Sequence, residues 1–125
     1  METPYLIGVD LGTSVVKGTL FDAEGVAVAD CTYPVALAQP EPGSAEQRGD
    51  EYYAATLNTI RDVAEQGRIK SADIAAIALA GQMAGAIGIT VTGTPLRPGF
   101  RLHWTHAIKF IRLRWWRKQA SASRN

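Results

Sequence analysis

The sequence predicts an α/β domain on a mixed sheet, with elements in the order β-β-β-α-β and layers that do not close. Three observations carry this. Three short β-rich runs open the chain, separated by turn residues; one amphipathic helical stripe follows; and an uncharged run rich in Ile and Ala comes after the helix. A strand placed parallel to an earlier neighbour needs a connection of about a helix in size, so the sheet must be mixed. One helix cannot cover both faces of a sheet, and part of the apolar surface is expected to lack a partner.

Taken in order, residues 5–10 (Tyr-Leu-Ile-Gly-Val-Asp) form a short apolar run that ends in Asp-Leu-Gly-Thr-Ser, and residues 15–21 resume β-rich composition directly. That spacing reads as strand, tight turn, strand. Asp22-Ala23-Glu24-Gly25 supplies the next turn, with Gly25 available for positive φ, before a third strand over 26–33. Residues 34–49 hold Pro40, Pro42, Gly43 and Gly49 without periodicity and read as a surface loop. Asp50 is an N-cap candidate; Tyr53, Leu57, Ile60 and Ala64 then fall on one helical stripe, Arg61, Asp62 and Glu65 face away, and Gly67 offers a C-cap. Residues 74–80 read as a buried strand and 87–91 as another, closed by the turn Thr92-Gly93-Thr94-Pro95.

Composition bounds the class. With 125 residues, 46% hydrophobic and 20% charged, the chain suits one soluble globular domain and excludes a disordered or collagen-like polymer. A formal net charge of +1 conceals an asymmetry: residues 1–100 hold all twelve acidic side chains against six basic ones, a net of −6, while 101–125 hold seven basic and no acidic residues. The break divides the chain into a domain at 1–100 and a basic, Trp-rich tail at 101–125. A single cysteine, Cys31, and the absence of an Asn-x-Ser/Thr sequon give no sign of secretion, and the N-terminus lacks the features of a signal peptide, so the cytoplasm is the expected compartment. The stretch 74–91 is uncharged for 18 residues and contains a Gly-x-x-x-Gly spacing, but Gly81, Gln82, Gly85 and Gly88 interrupt it and most of its apolar content is Ala. Strands around a glycine loop are expected there, and no membrane partner.

One segment carries chemistry. Gly8-Val9-Asp10-Leu11-Gly12-Thr13-Ser14-Val15-Val16-Lys17 places a carboxylate at a strand end, then a glycine turn, two hydroxyls and a cation. Such a turn can aim N–H groups and hydroxyls at phosphate oxygens, while Asp10 can hold Mg²⁺ or its waters. Neither the Gly-Lys-Ser/Thr P-loop nor Gly-x-Gly-x-x-Gly occurs. A capped hairpin turn would use the same residues, and from the segment alone the two readings stand level.

The sequence resembles the FGGY carbohydrate kinases, and among them the xylulokinase-like members, relatives of actin and the heat-shock ATPases. Residues 5–17 carry the likeness, together with Ile77-Ala78-Leu79-Ala80-Gly81-Gln82-Met83-Ala84-Gly85-Ala86, which is similar to the family's sugar-side segment, and Thr94-Pro95-Leu96-Arg97-Pro98. The resemblance covers about residues 5–98. It implies a ribonuclease H-like, actin-like ATPase sheet, present as an incomplete N-terminal domain, and transfer of the γ-phosphoryl group of ATP to a hydroxyl of xylulose or a similar polyol. It further implies that Asp10 serves Mg²⁺-nucleotide, that Gly12, Thr13, Ser14 and Lys17 face the ATP phosphates, and that Gln82 and Met83 lie near the sugar. Xylulokinases often have His where Ala84 stands, so the sugar itself stays open. On the residues alone, Gln82-Met83 reads as a polar cap and a core filler.

The family's general base and its adenosine-binding domain come from later chain, so the resemblance implies that these 125 residues are inactive alone. The tail offers competing readings: Trp104, Ile108, Ile111 and Trp115 form a cationic amphipathic stripe that could meet anionic lipid or nucleic acid, making the chain a non-catalytic binding module, and His103-x-x-His106 lacks a third metal ligand. The preferred account is a frameshift. Codons compatible with Leu102 to Ala107, read two bases further along, give Pro-Leu-Asp-Thr-Arg, close to a Leu-Asp-Thr-Arg that family members have at that place. On that account neither nucleic acid nor membrane is a partner, and the oligomeric state is open.

Overall fold

The computed structural model describes residues 4–83 and 85–101. They fall into two compact units, one made of residues 4–36 with 48–83, the other of 37–47 with 85–101. The expectations for 102–125, the amphipathic stripe and the His pair included, lie outside the described residues.

The first unit is a four-stranded sheet under one helix. Strands β1 (Tyr5–Leu11), β2 (Val15–Phe21) and β3 (Ala27–Pro34) run antiparallel in succession, as their local turn chemistry predicts. In the β2–β3 turn the Asp22 carboxylate accepts from the backbone N–H of Glu24 and Val26, and Gly25 takes φ +81°, which a side chain would disfavour. Helix α1 (Gly49–Gln66) then crosses over, and a 3-10 turn at Ser71–Asp73 leads into β5 (Ile74–Gly81), which lies parallel to β1. The sheet order is β3-β2-β1-β5.

The core sits between β1, β2 and α1, where Ile7, Val9, Val16, Leu20, Ala55 and Val63 are buried. Close approach is built in by glycine: a Cβ on Gly18 would stand 2.0 Å from the Thr59 methyl, and one on Gly67 would stand 2.3 Å from a Leu20 methyl. Gly67 closes α1 for that packing reason, with φ −72°; the left-handed residue after the helix is Arg68, at φ 54°.

The helix has a different phase from the predicted stripe. Its buried face is Ala55, Thr59 and Val63, with Tyr52 and Ile60 packed at the margin, while Tyr53 and Leu57 are exposed. Ile60 alone of the large stripe residues meets the core. Two equally periodic faces were available, and Gly18 selected the one carrying small residues, because only these let the helix settle onto β2. Asp62 does not face away; it is half-buried and accepts a short hydrogen bond from the Tyr33 hydroxyl of β3. Asp50 lies in the first turn instead of capping it, paired with Arg48, the residue at the cap position.

Strand β5 is also corrected. It forms as predicted but is exposed along nearly its whole length, because α1 covers β1 to β3 and stops short of it. The expected uncovered apolar surface is therefore present: Ile77 is 46% and Leu79 62% exposed.

In the second unit, β4 (Glu46–Gln47), β6 (Gly85–Ala86) and β7 (Gly99–Arg101) make a small sheet in the order β4-β7-β6. The predicted plain loop thus contains a strand, steadied by reciprocal backbone bonds between Ala38 and Glu46. The predicted buried strand at 87–91 is not formed; Ile87, Ile89 and Val91 are exposed and only an Ile89–Pro95 bridge remains. Its closing turn does form, with Gly93 at φ +85° and Thr90 and Thr94 joined through their backbones.

Candidate functional site

All seven residues singled out from the sequence fall in the first unit, around the β1–β2 turn and the end of β5. Asp10 and Lys17 are register partners across β1 and β2. Alternation along the strands puts both on the face opposite Ile7, Val9 and Val16, and both are exposed. Among the described residues neither side chain is engaged in an ion pair or hydrogen bond.

The turn itself is tightly organised. The Gly12 N–H donates to the Val15 carbonyl at 2.9 Å, so this N–H closes the turn instead of pointing outward. A Cβ on Gly12 would meet that same carbonyl oxygen at 2.8 Å, which is why glycine stands there. The Ser14 carbonyl accepts from the Val35 N–H at 2.9 Å, pinning the far side of the turn. The Ser14 side chain is exposed and its hydroxyl has no hydrogen-bond partner among the described residues.

The two sequence blocks meet. The Gln82 N–H donates to the Leu11 carbonyl at 3.0 Å, continuing the β1–β5 ladder by one residue. Its side chain then reaches the turn: the Thr13 hydroxyl donates to Gln82 Oε1 at 3.2 Å, and Gln82 Nε2 donates to the Tyr52 hydroxyl at 2.7 Å. Tyr52 in turn donates to the Gly12 carbonyl at 2.6 Å. Met83 is 81% exposed, so the core-filler reading fails. Sequence reasoning missed Tyr52, whose hydroxyl partner lies 40 residues away.

The donor set suits Mg²⁺ bound with a phosphate and not alone. Among the described residues no group of three or more His, Cys, Asp or Glu side chains could cage a metal. One carboxylate beside a lysine and two hydroxyls is instead the set that meets an anion whose charge is shared with a divalent ion, because Asp10 would repel a bare phosphate.

An open-edged mixed sheet under a crossover helix, with a carboxylate, a glycine turn and hydroxyls at the joint of its first two strands, defines a piece of an actin-like ATPase fold. The chain belongs to the FGGY family of carbohydrate kinases, whose N-terminal domain pattern matches residues 5–110. It is similar to xylulose kinase of Escherichia coli K12, 35% identical over 92 residues that cover 74% of this chain and 19% of that one. Glycerol kinase 1 of Pseudomonas aeruginosa is 35% identical over 78 residues, 62% of this chain and 16% of the relative. The crystal structure of gluconate kinase from Lactobacillus acidophilus superposes with a TM-score of 0.77 at 30% identity, covering 88% of this chain and 22% of that one. The chain spans about a fifth of the length of the curated relatives it matches. No helix among the described residues is long and apolar enough to cross a membrane.

Proposed function

We propose that residues 1–100 are the opening part of an ATP-dependent kinase acting in the cytoplasm on xylulose or a similar polyol, with the γ-phosphoryl group of ATP passing to a sugar hydroxyl. The observation that carries the reading is the hydrogen-bonded meeting of the Gly12–Ser14 turn with Gln82 beside an exposed Asp10–Lys17 pair.

Each residue has a role in it. Lys17 and the Ser14 hydroxyl bind phosphate oxygens, Thr13 faces them at the turn with its own hydroxyl proton given to Gln82, Gly12 holds the turn narrow, and Asp10 takes Mg²⁺ through its carboxylate or bound waters. Magnesium, when bound, neutralises phosphate charge. Gln82 and Met83 face the sugar. Phosphoryl transfer rests on positioning and electrostatic stabilisation, and a general base and an adenosine site must come from chain outside these residues. The 125-residue chain is therefore inactive alone, and 101–125 are the product of a shifted reading frame.

Sugar-dependent ADP release tests this on two proteins: the chain itself, and the longer product obtained by reading the gene two bases further along from codon 102. The expected result is turnover only by the longer protein, with xylulose, gluconate and glycerol compared as acceptors. A longer protein that phosphorylates none of them, or other polyols, overturns the assignment. In that protein Asp10→Asn should lower turnover by about two orders of magnitude or more while sugar binding survives, since the change removes charge from the metal site and keeps the size and shape of the side chain. Near-normal turnover of Asp10→Asn with Mg²⁺-ATP would overturn the magnesium role of Asp10.

A further inference from the structure

Three separate elements are tied into one ring of hydrogen bonds, and its proton order is dictated by chemistry. A carbonyl cannot donate, so the single phenolic proton of Tyr52 goes to Gly12. Tyr52 Oη must then accept from Gln82, which turns the carboxamide so that Nε2 faces the phenol. Gln82 Oε1 is left facing Thr13, whose hydroxyl must donate. The path closes on itself because Gly12 and Thr13 are adjacent.

We infer that Tyr52 is a positioning residue, whose phenol on α1 locks the Gly12–Thr13 turn and the Gln82 carboxamide into a single unit, so that an event at the turn is felt at Gln82. The inference rests on the functional reading above only for what occupies the turn. Tyr52 has the leverage for this role: it packs at the margin of the core, and its hydroxyl bridges two segments far apart in sequence. Without the phenol Gln82 Nε2 loses the bond that Tyr52 accepts, and the acceptor that faces Thr13 is held less firmly. Bonds in such a ring polarise one another, so the three respond together.

The test uses the 125-residue chain in solution, followed by NMR. Tyr52→Phe keeps the aromatic ring and removes only the hydroxyl. It should speed solvent exchange of the Gln82 side-chain amide by about tenfold, the loss of one net hydrogen bond, and shift the Gly12, Thr13 and Gln82 signals together. Tyr53→Phe, one residue on and exposed, should move none of them. Thr13→Val provides a second arm that does not depend on Tyr52→Phe folding; it should move the Tyr52 Cζ resonance through Gln82. Unchanged Gln82 exchange in Tyr52→Phe, or an unmoved Tyr52 signal in Thr13→Val, overturns the inference. Titration with Mg²⁺-ATP then separates the ring from the functional reading. In the parent chain, shifts at Thr13 and Ser14 should reach the Gln82 side chain; in Tyr52→Phe they should stop at the turn. Shifts that reach Gln82 equally in both proteins overturn the coupling. Absence of any shift at Thr13 and Ser14 counts against the nucleotide reading of this chain, while the ligand-free arms still decide the ring.

Discussion

Strands β1 and β5 lie side by side, parallel and in register, with Ile7 opposite Ile77 and Val9 opposite Leu79. All four side chains point to the same face of the sheet. Yet Ile7 and Val9 are 1% and 3% exposed, whereas Ile77 and Leu79 are 46% and 62% exposed. The difference is α1, which packs over β1, β2 and β3 and leaves β5 bare. An apolar strand therefore announces that a layer is wanted, and says nothing about whether the layer is supplied by the same residues. The matched relatives are about four times as long as this chain, so in them other segments are available to cover such a strand.

The comparison is broken most directly from the covered side. Leu20 is fully buried and its methyl fills the space that Gly67 leaves. Leu20→Ala should cost about 3 kcal/mol, the usual transfer loss plus a cavity that the rigid sheet cannot collapse. In a unit this small that is a large part of the whole stability. Urea unfolding followed by circular dichroism measures it; a loss below about 1 kcal/mol would mean that the core under α1 is loosely packed in solution.

A smaller effect sharpens the same side. The Tyr33 hydroxyl of β3 donates to the Asp62 carboxylate of α1, and this bond, with burial and the carboxylate's charge adding to it, holds the phenol's pKa above its ordinary value. A group with a raised pKa in the folded state contributes its full stabilisation while it remains protonated in both states, below pH about 10, and loses it as pH rises through the raised value. Tyr33→Phe should accordingly be less stable than the parent by a constant margin from pH 7 to 9, and the margin should close at higher pH. A margin that stays flat through pH 11 in thermal unfolding would show that the bond does not form.

How much of this was legible follows the range of each signal. The three opening strands and the Asp22–Gly25 turn were readable because their causes are local: β-rich runs, an Asp side chain bonding two residues ahead, a glycine at positive φ. The phase of α1 was not, because Tyr53 and Leu57 are more apolar than Thr59, and the fact that favours Thr59, the bare backbone of Gly18, lies 41 positions earlier across the sheet. The carboxylate, glycine and hydroxyls at 10–14 were legible as a group, since their chemistry is contiguous. Tyr52 was hidden for the opposite reason: in sequence it is one aromatic among two at a helix start, and only the folded chain puts its oxygen between Gly12 and Gln82. Gly12 was read correctly as a turn glycine, but its N–H serves the turn and not a ligand.

The smallest predicted effect tests the bare side. Leu79→Ser removes an apolar side chain next to Val9 in register, and a burial argument from sequence alone would expect a cost comparable to Leu20→Ala. The observed exposure says otherwise: little of the Leu79 surface leaves water on folding, so little transfer free energy is lost, and no cavity forms where nothing packs. Stability should change by no more than about 0.5 kcal/mol in urea unfolding. Self-association should fall as well, because among the described residues β5 is an uncharged strand at the edge of its sheet, the kind of edge that templates pairing with a second chain. Serine on that edge lowers the apolar gain from such pairing without touching the ladder to β1. If Leu79→Ser instead unfolds the chain as readily as Leu20→Ala does, β5 is covered in solution, and the contrast between the two strands is lost along with the account of why one is buried and its neighbour is not.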